Sequence, residues 1–223
     1  MQINPAILTG DIETFIQQLA LVRDFSTAEL VQIDIIDGLF SNNVTITPTD
    51  LALADLDFAR LKLDFHLMTE EPMDYVWELV EHQQSFPIRA VYGQIEKMSH
   101  QTDFLEEVKK QGWQAGLALN LFTPISSIEQ SAWNYLDEVL LMAVEAGAQG
   151  RVFNNLVLEK IKELCSQAQQ LGRTIKIVVD GGVKAEHLAI LKSSGVDRVA
   201  IGSALFSVPD FITAFASLNK EVL

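Results

Sequence analysis

The sequence predicts a (β/α)8 barrel, the TIM-barrel form of the α/β class, as one domain over residues 1–223. Three observations carry that prediction. Short apolar runs rich in β-branched residues alternate with segments of helical period, and the connections between them are short. Eight such runs can be counted, the number a barrel of this kind needs. The length of 223 residues is close to the roughly 250 that such a barrel takes. A doubly wound open sheet would show a similar alternation, but no glycine-rich dinucleotide fingerprint follows the first run, which weakens that rival.

The elements follow in order. Strands are expected over 3–8, 30–34, 61–66, 90–95, 115–120, 138–144, 174–179 and 198–201. After the first, Ile12, Phe15, Ile16, Leu19 and Val22 share one helical face. The helix after the fifth strand looks short and begins near Pro124. After the sixth, Leu158, Ile161, Cys165, Ala168 and Leu171 share a face, which would bury Cys165 as an inert thiol. Leu188 and Leu191 anchor the next helix, with Gly195 as its stop. A last helix covers about 210–218 behind Pro209, a residue suited to a helix start.

Composition excludes several classes. A net charge of −14 argues against a nucleic-acid partner, which needs a clustered basic face. An anionic small molecule could still be held by a local device such as backbone N–H groups. No run is long enough to span a membrane, and the start shows no basic segment followed by an apolar one. The single Cys165 cannot form an internal disulfide, which fits a reducing cytoplasm.

Asp34, His66 and Asp180 each end an apolar run. A polar residue at the end of a barrel strand sits where the active sites of such barrels are built. Two acids and one imidazole could hold a divalent metal between two carboxylates, which suits proton transfer next to a carbonyl. Asp180-Gly181-Gly182 follows the seventh strand and Ile201-Gly202-Ser203 the eighth. Glycines in these two loops favour a phosphate cradle, because backbone can approach a ligand closely there.

Seven stretches, in order, give the chain a resemblance. Pro5-Ala6-Ile7-Leu8 resembles P-S-I-L. Gln32-Ile33-Asp34-Ile35-Ile36-Asp37-Gly38-Leu39-Phe40, with Asn43 after it, resembles H-x-D-x-M-D-G-x-F. Leu63-Asp64-Phe65-His66-Leu67-Met68, extended by Glu71-Pro72 and Tyr75, resembles L-D-x-H-L-M. Gly116-Leu117-Ala118-Leu119-Asn120 with Thr123-Pro124 resembles G-x-A-L-N-P-x-T-P, and Leu141-Met142-Ala143-Val144-Glu145 resembles V-M-T-V-x. Val179-Asp180-Gly181-Gly182 and Gly202-Ser203-Ala204-Leu205-Phe206 match closely. These are motifs of the ribulose-phosphate 3-epimerase family, which the chain resembles over most of its length as a divergent member.

The resemblance implies a barrel of the ribulose-phosphate-binding type that interconverts D-ribulose 5-phosphate and D-xylulose 5-phosphate. It implies a divalent metal (zinc, iron, manganese or magnesium) held by Asp34, His66 and Asp180, with Gln32 as a fourth ligand. It implies that Asp34 and Asp180 form the acid/base pair on opposite faces of the sugar, while the metal stabilises the enediolate as a Lewis acid. Met142 would line the pocket, and Gly147, Gly150, Arg151, Gly181, Gly182, Gly202 and Ser203 would meet the substrate and its phosphate. A phosphorylated ketose is the expected partner, and a homo-oligomer the expected assembly.

Departures from the family pattern matter as much. Gln32 stands where the family has a metal-ligating His. A neutral carbonyl ligand binds zinc less tightly and leans toward Mn²⁺ or Mg²⁺. Ala6 replaces an active-site Ser, and Gln94, before Glu96, replaces a His on the fourth strand. The loop Ala146-Gly147-Ala148-Gln149-Gly150-Arg151 replaces P-G-F-G-G-Q, and Arg151 could offer its fork of donors to the phosphate instead. These changes favour an alternative of another class: a degenerate barrel that binds a phosphosugar or phosphate without epimerising it. A decarboxylase or hexulose-phosphate synthase relative would carry D-x-K-x-x-D at the third strand, which is absent.

Other residues have blander readings. Asp37 before Gly38 reads as a turn former, and Asp64 either orients the site or pairs with Lys62. His82, His100 and His187 read as solvated, and Trp77, Trp113 and Trp133 as packing residues. The run Glu106-Glu107-Val108-Lys109-Lys110 reads as a solvated helix face with i,i+3 charge pairs.

Overall fold

The structure is a computed structural model, and it describes residues 1–147 and 150–222. Eight parallel strands close in the order β1-β2-β3-β4-β5-β6-β7-β8. They are β1 (Gln2–Ile7), β2 (Leu30–Ile36), β3 (Lys62–Met68), β4 (Ile88–Gln94), β5 (Gln114–Leu119), β6 (Glu138–Met142), β7 (Lys176–Asp180) and β8 (Arg198–Ile201). Each end falls within two residues of the position the sequence predicts. Closure pairs β1 with β8, Gln2 facing Arg198 and Pro5 facing Ile201, so no edge strand is left open. This is a (β/α)8 barrel.

Helices α1 (Ile12–Phe25), α2 (Pro48–Leu53), α3 (Pro72–Glu81), α4 (Gln101–Lys110), α5 (Leu156–Gln170), α6 (Ala185–Ser193), α7 (Ser203–Phe206) and α8 (Phe211–Val222) surround the strands. The start of α1 is set by Asp11, whose carboxylate accepts from the Thr14 N–H at 2.8 Å. Thr47 and Asp50 form a reciprocal capping box on α2. α6 ends as expected at Gly195: the Gly195 N–H donates to the Lys192 carbonyl and the Val196 N–H to the Leu191 carbonyl.

Four expectations need correction. The fifth unit carries no α-helix among the described residues; two 3-10 turns, Ile125–Ser127 and Ala132–Asn134, take its place. Cys165 is exposed. The buried stripe of α5 is Val157, Lys160, Ile161, Leu164 and Ala168, one position round from the expected face. The last helix starts within one residue of the expected position, at Phe211, and runs on to Val222; the Asp210 carboxylate accepts from the Thr213 N–H at 3.0 Å and caps it. Trp77 is 58% exposed, whereas Trp113 and Trp133 are buried as expected.

Two apolar layers result. One lies between strands and helices and includes Phe15, Phe65, Phe104 and Leu188. The other fills the barrel interior with Tyr92, Ala118, Leu140 and Val178. Polar side chains bound this inner layer above and below. At the N-terminal end Arg89 donates to Asp64 at 2.6 and 2.7 Å and to Glu138 at 2.7 Å. Asn4 donates to Asp64 at 3.0 Å, and Arg198 and the Tyr92 hydroxyl also bond Glu138. Asp64 therefore pairs with Arg89, not with Lys62. No described helix is long and apolar enough to cross a membrane.

Candidate active site

Side chains alternate across a strand, so residues two apart on β2 and β3 both face the barrel interior. Gln32 and Asp34 point inward from β2, Asp64 and His66 from β3, with Asp34 beside His66 in the register. The strands run two residues past Asp34 and His66, so both sit inside them and not at their ends. Asp180 is the last residue of β7, beside Met142 of β6 and Ala200 of β8. β7 and β2 are separated by β8 and β1, and their carboxylates converge over the barrel axis.

One amide ties them together. Gln32 Nε2 donates to Asp34 Oδ1 at 2.8 Å and to Asp180 Oδ2 at 2.6 Å. His66 Nδ1 lies 3.4 Å from Asp34 Oδ1 and 3.7 Å from Asp180 Oδ2. Gln32 and His66 have no exposed surface and Asp34 very little. Burial pushes the Asp34 carboxyl up, the neighbouring His66 imidazole opposes this, and the charge of Asp180 reinforces it. Burial alone would lower the His66 imidazole, but the two carboxylates outweigh it and bring it up to about 9.

Asp34, His66 and Asp180 can each offer one ligand atom, all within 4.8 Å of one another. The donor set suits a divalent cation. Both ring nitrogens of buried His66 lack a hydrogen-bond partner, as does Gln32 Oε1. Buried polar atoms without partners are rare in a folded chain. A cation would satisfy the imidazole and offset two neighbouring negative charges.

Above this group opens a small pocket. Asp34, Asp180 and Met142 form part of its floor. Gly181, Gly182, Gly202 and Ser203 wall one side, with Gly147, Gly150 and Arg151 from the loop after β6 beside them. Every predicted site residue but two therefore lines one cavity; Gln32 and His66 lie beneath it. Arg151 is half exposed and its guanidinium is 3.3 Å from Glu145, so its fork is shared with a neighbouring carboxylate. Ala148 and Gln149 of the same loop lie outside the described residues. Gly181 (φ 108) and Gly182 (φ 64) have left-handed backbones, and a Cβ on Gly182 would collide with the Arg151 carbonyl. These glycines thus admit the loop after β6 as well as any ligand.

Sequence reasoning missed how that loop is docked. Ala146 N–H donates to Asn120 Oδ1 at 2.6 Å, and Asn43 Nδ2 donates to the Gly147 carbonyl at 3.3 Å. Asn120 N–H is itself held by Glu96 at 2.7 Å. Asn43 and Asn120 stood in the matched stretches and Glu96 beside the departure at Gln94, but their spacing shows no contact across 26 or 104 residues. Asp37 is the turn former expected: it accepts from the Leu39 and Phe40 N–H groups at 2.8 Å, and from Glu70 N–H. His187 is not simply solvated, since its ring stacks on Phe153 at 4.1 Å.

Carboxylates and an imidazole gathered at the C-terminal mouth of a parallel barrel, under a pocket walled by the last two strand loops, place the chain among barrels that build their sites on that face. Solved structures agree on the fold: a 3-hexulose-6-phosphate synthase superimposes with a TM-score of 0.67 at 12% identity, over 100% of this chain and 99% of the other. Residues 2–206 match the model of the ribulose-phosphate 3 epimerase family. The ribulose-phosphate 3-epimerase of Bacillus subtilis (strain 168) is 34% identical over 220 residues, 98% of each chain. That of Aquifex aeolicus (strain VF5) is 31% identical over 98% of this chain and 96% of its own. The chain belongs to the ribulose-phosphate 3-epimerase family.

Proposed function

We propose that this chain epimerises a phosphorylated ketose at C3, interconverting D-ribulose 5-phosphate and D-xylulose 5-phosphate. The observation that carries the reading is the pair Asp34 and Asp180, brought together from β2 and β7 on the floor of one pocket. Inversion needs a proton removed from one face of C3 and returned to the other. Two carboxylates from separate strands can act on two faces, whereas one cannot. Burial raises the Asp34 carboxyl, so its acid form persists to higher pH than that of an ordinary carboxyl, as suits a proton carrier. Met142 and Val144 give the reacting carbon an apolar wall. The backbones of Gly181, Gly182, Gly202 and Ser203 hold the phosphate, with Arg151 at the rim.

Asp34, His66 and Asp180 would hold a divalent cation, with Gln32 Oε1 as a possible neutral fourth donor. When bound, such a cation supplies Lewis-acid stabilisation of the negative charge that develops on the C2 oxygen. The same reading includes a homo-oligomer, which sedimentation of the purified protein tests.

A second reading has its own support. The Gln32 amide lies between the two carboxylates, and Ala6 leaves the pocket without a hydroxyl at β1. A barrel so altered could bind the phosphosugar without turning it over. Formation of D-xylulose 5-phosphate from D-ribulose 5-phosphate, followed by NMR with and without Mn²⁺ or Zn²⁺, separates the two. Product supports the epimerase; binding of the sugar phosphate with no product under any metal supports the second reading.

A further inference from the structure

We propose that Gln32 is a positioning residue whose amide bridges the carboxylates of Asp34 and Asp180, and which thereby competes with a divalent cation for them. The inference rests on reading Asp34, His66 and Asp180 as a cation site, and it concerns what this chain's own residue does there. A primary amide has two N–H donors. Here both are used, one on each carboxylate, at 2.8 and 2.6 Å. Hydrogen bonds to ionised acceptors are roughly twice as strong as neutral ones, and Gln32 is fully buried, where water does not compete.

The orientation of the amide follows from its neighbours. Turned over, Gln32 would set its carbonyl oxygen against two carboxylate oxygens, three acceptors with no proton among them. The nitrogen-inward form is the one the two carboxylates select, and it leaves Oε1 buried without a partner. A cation entering the group needs the same oxygen lone pairs that the amide occupies. The amide must then either withdraw or turn, giving up two charge-assisted bonds to present one neutral oxygen. An imidazole in this position would face no such conflict. In its neutral form it donates to only one carboxylate, and its other ring nitrogen is a good ligand without rearrangement. Gln32 therefore holds the acid pair in place without metal and lowers the affinity for it. It also biases the site toward cations that accept oxygen ligands, such as Mn²⁺ and Mg²⁺.

The test is the sign of one substitution. Gln32→Met keeps the volume and removes both the donors and the carbonyl. Calorimetric titration of the metal-stripped proteins should show Mn²⁺ binding at least about tenfold tighter in the variant, since one hydrogen bond to a charged group is worth about that factor. Its metal-free melting temperature should be lower. Were Gln32 chiefly a ligand, the variant would bind Mn²⁺ more weakly, and the proposal would be overturned. A second measurement needs no substitution. In the metal-free wild-type protein, the Gln32 side-chain NH₂ protons should exchange slowly with solvent and lose that protection on saturation with Mg²⁺. Exchange at the rate of a free amide would overturn the bridge even if the variant failed to fold. If neither protein bound a cation, the metal reading under the proposed function would fail, and slow amide exchange would still establish the bridge.

Discussion

Two pairs of buried carboxylates face the interior of this barrel, one near each end, and they are handled in opposite ways. At the N-terminal end Asp64 and Glu138 meet two guanidinium groups, an amide and a phenol: Arg89 bonds both acids, Arg198 and Tyr92 bond Glu138, and Asn4 bonds Asp64. At the C-terminal end Asp34 and Asp180 share one neutral amide and a nearby imidazole. The lower pair has cations of its own and gains nothing from a ligand. The upper pair is left short of positive charge, open to a pocket, and able to take up a proton or a cation. Buried charge with fixed partners specifies structure, whereas buried charge lacking them is available for chemistry.

The largest expected effect lies at the upper end. Asp180→Asn should lower C3 epimerisation by at least about 10²-fold, the scale of a lost general acid or base. Its melting temperature should stay near that of the wild type, because removing one of two neighbouring charges relieves repulsion. Retention of most activity would break the comparison outright.

Arg89→Met reverses the pattern. It leaves Asp64 and Glu138 short of a partner in a dry interior, a loss of about 3–5 kcal/mol for a broken buried pair. Chemical denaturation should show the drop, while turnover per folded molecule is unchanged. A variant of wild-type stability would mean that the lower network is not the structural half of the barrel.

The acid side sharpens the contrast. Burial would raise the Glu138 carboxyl, but Arg89, Arg198 and Tyr92 together hold it below its ordinary value. A depressed carboxyl contributes stability that is present above its unfolded pKa of roughly 4.5 and is lost as pH falls through the lower folded value. Asp64, raised by burial, works the other way. Stability should therefore fall less steeply between about pH 5 and 3 in Glu138→Gln than in the wild type. Identical slopes would show that Glu138 is not the group responsible.

The smallest effects belong to the loop after β6. Asn120→Ala removes the acceptor for Ala146 N–H, a bond worth about 1 kcal/mol. KM for the phosphosugar should rise a few-fold with kcat little changed. Arg151→Ala should do the same or less, since Glu145 already shares that guanidinium. An unchanged KM in both would mean that this loop does not cover the ligand.

Much of this was legible in the chain. Asp34, His66 and Asp180 stand out because each is a polar residue in a run of apolar ones, and a strand buried on both faces has no bland use for it. The glycines after β7 and β8 stand out for a similar reason. The lower network was not legible. Asp64 has Lys62 two residues away, but that lysine is exposed at the outer start of β3, and the true partner Arg89 comes from the next strand. Only pairing across 25 and 49 residues joins Arg89 to Asp64 and Glu138. Cys165 was misplaced because α5 offers two overlapping stripes. The correct one contains Lys160, whose stem is buried while its Nζ reaches the Asn120 carbonyl, and a lysine hides an apolar face from a pattern search. The fifth helix was expected to be short; turns with i→i+3 bonds leave too little period to distinguish 3-10 from α.

Incorporation of solvent deuterium at C3 of D-ribulose 5-phosphate, read by NMR on the wild-type protein with Mn²⁺ present, tests the central claim most directly. Exchange at C3 that is lost in Asp180→Asn is the predicted result. No exchange from a folded protein that binds the sugar phosphate would contradict it, and would leave the upper carboxylates as part of a binding site.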